Sequence, residues 1–544
     1  MGQFDQSDKY TFIEHTGRHG GVGRTGRGCV RRHVANESLR KRVAQRATLA
    51  LPVVREPVFV NHVTSGDSDS DRQCSDEESP TRPEDEKPVF DRLGILSLPI
   101  GKPYDAELIE HISSRLWPGF RNRFRGSANP FPAYWLPRTV ENPALYQALL
   151  FSALCHLSSR MSLAGQKPRN KGELIALETK AIMATKEQID CSSAITTPDH
   201  LEDLLMITIC LATNVQDSDQ SMARDPSPFY PILASGRWLD TYGAFACHNV
   251  HWNAVLQLVE KRGGLQKIKS FGLPWVISCC LFDVPNFSSA ALIMASSTLS
   301  RPPYPMLDVG GKPCTMKKYD DFVPQSIWEP TCPMGRGFTV LNDLGLADEV
   351  VKVFLALGDF SATLDAYSTG RITNINMDDM FDSRDVMMHR LLSLPSPHDF
   401  DVMTMQQRLS FPTLSNERTE ANATVEIYSV CRWTAQLYGI LVTFPIPRSK
   451  YARELAASRV QERISLLPGG LNNRKLLRLL LWCLVVAGAS SYVKEQRKWF
   501  RARVMEIVED LKLRSWDEVE RVLLDFAWVP SVCNPAARDL WSES

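Results

Sequence analysis

From about residue 140 onward, apolar side chains return at three- and four-residue intervals in one segment after another, and runs alternating apolar with polar residues are few. That period belongs to helices packed against a core, not to strands. In "NPALYQALLFSALCHLSSRM", Leu145, Leu149, Leu150, Leu154 and Leu157 keep helical spacing, and Pro143 suits a first turn, where its missing N–H is not needed. The same spacing predicts helices over 171–190, 199–213, 248–262, 345–359, 422–443, 474–512 and 516–527. Prolines gather between them, in "DPSPFYP", "SRPPYP", "SLPSP" and "FPIP", and the insertion 298–335 reads as a surface loop. The fold class is therefore all-α, a large helical body. No unit of 20 to 50 residues repeats, which argues against a solenoid.

Charge divides the chain more sharply than its total suggests. The 62 basic and 62 acidic residues cancel, yet around Glu37 stand Arg31, Arg32, Arg40, Lys41, Arg42 and Arg46, in an arm with little apolar content whose first half is rich in glycine. Residues 1–60 thus read as a mostly disordered basic arm, with "RRHVANESLRKRVAQR" able to form a short basic helix. The "RKR" at 40–42 suits nuclear import or nucleic-acid contact, and a merely solvated tail is the alternative. Acid, serine and proline then fill "SGDSDSDRQCSDEESPTRPEDE", marking 61–88 as a disordered linker before a helical body at 89–544. Over the full chain, 44% hydrophobic and 23% charged residues are ordinary for a folded globular protein.

The 13 cysteines are scattered without paired spacing, and no secretory leader pattern opens the sequence, so a disulfide framework is not expected. The longest apolar run, Leu476 to Val493, carries Arg478 and small polar residues and is short for a bilayer, so a buried helix is expected and no membrane partner.

In "HWNAVLQLVEKRGGLQKI", residues 251–268, Trp252, Val255, Leu256 and Val259 line one helix face. Lys261 and Arg262 suit the last turn, Gly263 suits a left-handed end, and Leu265 and Ile268 restart the stripe as a second packed helix. With the following "LPWVISCCLFD", this order of His251, Arg262, Gly263, Gly264, Leu265 and Asp283 resembles the fungal-specific transcription factor domain, the helical regulatory region of zinc-cluster regulators. The C-terminal stretch ending in "SWDEVERVLLDFAWV" is similar to the end of the same proteins, with Trp482, Trp499, Trp516 and Trp528 as packing anchors. The N-terminal "YTFIEHTG" followed by the basic run resembles the leader of one fungal subgroup.

The family's zinc cluster needs six cysteines to hold two zinc ions, because so small a module lacks a core of its own. Only Cys29 and Cys74 precede Cys155, so that module is absent from this sequence. The resemblance then implies a nuclear, transcription-regulator-like protein that acts through other regulators or the transcription machinery, on biosynthetic or metabolic genes, alone or as a homo- or hetero-oligomer. Its arm would add weak, nonspecific DNA contact. The alternatives are a helical small-molecule-binding protein or enzyme, and an interaction scaffold without a chromatin role.

Other motifs carry less. "GVGRTG" matches G-x-G-x-x-G at Gly21, Gly23 and Gly26, but no βαβ unit follows. Cys155 and His156 are chain neighbours and diverge by about 100 degrees on a helix, so they do not form a nucleophile and base. Cys279 and Cys280 read as buried hydrophobes, His156 as a partly buried histidine, and Glu202 and Asp203 as a solvated face. No catalytic residue, metal or cofactor is expected.

Overall fold

The computed structural model describes residues 103–542, apart from 122–128, 192–196, 215–226, 246–247, 280–295, 297–298, 324–333, 397–417, 448 and 468–472. The basic arm, the acidic linker, the glycine motif at 21–26, Cys280 and Asp283 lie outside these residues. The described residues are helical with irregular connections and contain no strand beyond a single bridge between Leu307 and Pro313.

Fifteen helices carry the argument: α1 Pro103–His111, α2 Pro130–Glu141, α3 Pro143–Leu163, α4 Lys171–Cys191, α5 Pro198–Thr213, α6 Asn249–Lys261, α7 Leu273–Cys279, α8 Asp348–Ser368, α9 Met377–Ser393, α10 Arg418–Tyr438, α11 Lys450–Ser465, α12 Arg474–Ser490, α13 Lys494–Leu511, α14 Trp516–Leu523 and α15 Pro530–Ser542. Three of the early ones start by one device. Asn129, Asn142 and Thr197 each precede a proline and accept a hydrogen bond from a first-turn amide, at Phe131, Leu145 and His200. The cap side chain satisfies one orphan N–H, worth about 1 kcal/mol, while proline pre-sets the first helical φ.

Helices α3, α5 and α12 are buried almost all round and run through the middle of one continuous core. Trp135, Trp252, Trp275, Trp482 and Trp528 are its largest wholly enclosed side chains. The heaviest packing joins helices adjacent in sequence, α3 with α4, α10 with α11 and α12 with α13.

Several expected boundaries move. The segment 474–512 is two helices, broken at Ser491–Val493. The Ser490 and Ser491 hydroxyls donate to the Ala487 carbonyl, and the guanidinium groups of Arg453 and Arg497 take the carbonyls that α12 leaves open at Gly488, Ala489 and Ser490. The segment 345–359 continues nine residues further as α8, straight through Gly358. Glycine is tolerated there because Gly335 crosses directly over it: a Cβ on Gly358 would lie 2.2 Å from the Gly335 Cα. The insertion 298–335 is not wholly superficial, since Leu299, Met306 and Leu307 are buried and the Leu307 amide donates to Ser278 Oγ at 3.3 Å.

Candidate functional site

The "RGGL" stretch ends α6 in a double-glycine turn. The Gly263 amide donates to the Glu260 carbonyl and the Gly264 amide to the Val259 carbonyl, both at 2.9 Å, and both glycines take positive φ. This pairing closes a helix where side-chain-bearing residues are disfavoured. The chain beyond does not form a second packed helix: Leu265–Lys267 is one 3-10 turn, Ile268 is extended, and α7 starts only at Leu273. Leu265 and Ile268 are nonetheless buried.

What the turn accomplishes is visible at Glu202, on α5. Its carboxylate accepts from Arg262 Nε at 2.8 Å and from the amides of Lys269 and Ser270 at 3.1 and 2.7 Å. Burial opposes ionisation of Glu202, but the hydrogen bonds from Ser270, Lys269 and Arg262 outweigh it and hold the carboxyl below its usual range. The neighbouring Asp203 accepts from Arg138 Nε at 2.8 Å and Asn142 Nδ2 at 3.3 Å, tying α5 to the α2–α3 junction. Glu202 and Asp203 are thus buried clasps and not the solvated face that helical spacing suggested. Their partners lie about 60 residues away, beyond the reach of local pattern reading.

His251, on α6, is buried with its ring 4.4 Å from that of His248. At the C-terminal end, Trp482 donates to the Ala527 carbonyl at 2.8 Å and Trp528 to Asn534 Oδ1 at 2.9 Å, both wholly buried. Trp499 and Trp516 are only partly buried and lie near Arg503 and Arg538, and beside Trp499 it is Phe500 that is fully enclosed.

Between α2, α3, α5, α7 and the helical turns at 112–120 lies an apolar cavity of about 70 Å³, walled by Ile112, Phe120, Phe131, Met206, Tyr242 and Val276 among others. A hollow of that size holds several water-sized molecules or one small apolar group. Behind one wall the rings of Phe120 and Phe131 each lie 6.0 Å from that of Trp275. On Trp275 rest two guanidinium groups, Arg121 at 5.2 Å and Arg237 at 5.4 Å from the ring centroid. Arg121 Nη1 and Arg237 Nη2 share Asp382 at 2.9 and 2.6 Å, and Arg237 and Arg384 share Asp385 at 2.6 and 2.8 Å. All three arginines are buried. One faint signal of this cluster, whose bonded pairs span up to 261 residues, stands in the sequence: charge inside an otherwise apolar helix, "MFDSRDVMMHR".

Behind Tyr242, which lines the cavity, His111 Nε2 and His156 Nδ1 are 2.9 Å apart, and His156 packs against Trp238 and Tyr242 at 4.6 and 6.0 Å. His156 is completely buried, further in than its expected half-burial. Cys155 turns away from it, its thiol donating to the Asn214 carbonyl, and burial pushes that thiol well up. The two do not meet as nucleophile and base.

Burial, with Arg115 nearby, lowers His111 to about 4; burial, with His248, lowers His251 to about 4; and burial, with His111 and Arg160, pulls His156 well down. Each is neutral when folded, whereas in the unfolded chain each protonates near pH 6.5. Between those values the unfolded chain takes up protons that the folded chain does not, so stability falls as pH drops, by about 1.4 kcal/mol per unit for each histidine. Asp359, raised to about 6 by burial, offsets part of this. The urea midpoint should hold steady above pH 7 and decline steeply from 6.5 towards 5, a net loss of roughly 3 kcal/mol. A flat midpoint over that window would show that these imidazoles are solvated in the folded chain.

Among the described residues no cluster of His, Cys, Asp and Glu could hold a metal ion, and no helix is long and apolar enough to cross a membrane. The described residues form an all-helical body, organised by buried clasps and enclosing an apolar cavity. The family model described as Fungal specific transcription factor domain matches residues 109–526, and the chain belongs to that family. The matched span takes in the double-glycine turn, the cavity, the arginine cluster and most of the C-terminal tryptophan region. No curated protein and no solved structure matches the chain.

Proposed function

We propose that this chain is a nuclear transcription regulator that acts through a partner protein for its choice of promoter. The single observation that carries the reading is the family match over 109–526, joined to a sequence with no six-cysteine cluster of its own. Reading base edges requires a rigid element presented to a groove, whereas arginines such as Arg31, Arg32, Arg40, Arg42 and Arg46 and the Lys41 ammonium contact phosphate without regard to sequence. A partner with its own reader then supplies specificity, and the arm adds affinity. Biosynthetic or metabolic genes are the proposed targets.

Two measurements test this together. In chromatin immunoprecipitation the tagged chain should give discrete promoter peaks that weaken when residues 1–60 are deleted. The purified chain should bind DNA without sequence preference, log affinity falling against log salt with a slope of about −4.5 if the arm neutralises about five phosphates. Sequence-specific binding by the purified chain overturns the need for a partner, and absence of chromatin enrichment in cells overturns the regulator reading altogether.

A further inference from the structure

The arginine cluster carries more cation than its ion pairs absorb. Three guanidinium groups, of Arg121, Arg237 and Arg384, are paired with two carboxylates, of Asp382 and Asp385. The Arg121 side chain is 4% exposed, yet only its Nη1 has a partner; Nε and Nη2 have none. Those two N–H groups form one edge of the guanidinium plane, the edge that receives a carboxylate with two parallel hydrogen bonds. Arg237 Nε and Trp275 Nε1 are also buried without an acceptor. Four buried donors around one indole ring, lacking any acceptor, stand against the general rule that buried polar groups are paired.

The cluster also abuts the cavity along the chain itself. Phe120 and Val276 line the cavity, and their immediate neighbours Arg121 and Trp275 belong to the cluster. Across space, Phe120 and Phe131, which wall the cavity, pack against the Trp275 ring that carries the two guanidinium groups. Such a pairing of an apolar space with a few convergent polar groups is the usual make-up of a small-molecule site.

We propose that this region binds a small organic acid with a short apolar tail, the tail entering the cavity and the carboxylate taking the free edge of Arg121, with Trp275 Nε1 and Arg237 Nε beside it. The carboxylate matches both the excess positive charge and the fork geometry. A neutral amide would offer one acceptor oxygen and no charge, and an inorganic anion would leave the hollow unfilled.

The test is calorimetric, on the full chain, with three probes: butanoate, its neutral counterpart butanamide, and inorganic phosphate. Butanoate should bind at least tenfold more tightly than either of the others and raise the melting temperature. Arg121→Met, which keeps the apolar stem and removes the fork, should abolish the preference of butanoate over butanamide, and Arg121→Lys should restore only part of it. Near-ultraviolet circular dichroism establishes that each variant is folded; were Arg121→Met to unfold, the comparison of butanoate with butanamide on the unaltered chain still decides. Equal binding of those two probes, equal binding of phosphate, no binding at all, or butanoate binding unchanged in folded Arg121→Met would each overturn the proposal. The outcome does not depend on whether the chain regulates transcription.

Discussion

Replacing Glu202 with alanine should cost the folded chain about 3–5 kcal/mol, the range for a buried ion pair broken from one side. Three groups lose their acceptor at once: the Arg262 guanidinium and the amides of Lys269 and Ser270. Because Glu202 is 1% exposed, water cannot readily take its place. The direct loss is electrostatic, but the consequence is geometric, since the segment after Gly264 is fastened to α5 through those bonds. Glu202→Gln keeps an acceptor oxygen and should lose less. Glu187→Ala, an exposed acid on α4, serves as the control and should stay within about 0.5 kcal/mol of the unaltered chain. Urea denaturation of the three variants settles the matter: if Glu202→Ala falls with the control, the clasp does not hold this turn.

The second large effect is expected at Asp385. Its carboxylate lies between Arg237 and Arg384, accepting at 2.6 and 2.8 Å, and it is 3% exposed. Asp385→Ala strips Arg384 of its one carboxylate and leaves it only the carbonyls of Gly236 and Leu233, at 3.1 and 3.5 Å. Arg237 retains Asp382 and the Asp378 carbonyl. A buried cation with less than its full complement is costly, again about 3–5 kcal/mol. The exposed Lys317, paired with the half-buried Asp379, offers the contrast, and Lys317→Ala should cost less than about 1 kcal/mol. Hydrogen exchange should also quicken around residues 233–242, which those arginines anchor to α9. Unchanged protection there, with unchanged stability, would mean that the cluster is ornamental to the fold.

How far the sequence could be read depended on the reach of each interaction. Helix α5 was legible because its cap and its apolar stripe are both local: Thr197 and Pro198 mark its start, and 199–213 almost matches Pro198–Thr213. The buried acids on the same helix were not legible, since Glu202 and Asp203 look like any polar residues until Arg262 and Arg138 arrive from elsewhere in the chain. The double-glycine turn announced itself, for glycine at two successive positive-φ positions has few other uses. The break between α12 and α13 did not, because it depends on Arg453 reaching back from α11 to the Ser490 carbonyl. The tryptophans divided likewise: Trp482 and Trp528 are enclosed, whereas Trp499 and Trp516 keep one side towards solvent. The cavity and the Arg121–Arg237–Arg384 cluster left only a faint trace, charged residues inside an apolar helix, and needed the assembled fold to be seen at all.

The preference of neighbouring helices for one another also sets an order in time. Pairs such as α3 with α4 and α12 with α13 close short loops, so they can assemble early and independently, some while the rest of the chain is still being synthesised. The bonds from Arg121 to Asp382 and from Arg237 to Asp385 close loops of 261 and 148 residues and must wait for those hairpins. Contacts made after the rate-limiting step govern how long a folded molecule lasts more than how quickly it is reached. The cationic cluster is in that sense the clasp fastened last, and the lifetime of the native chain is where its strength is felt.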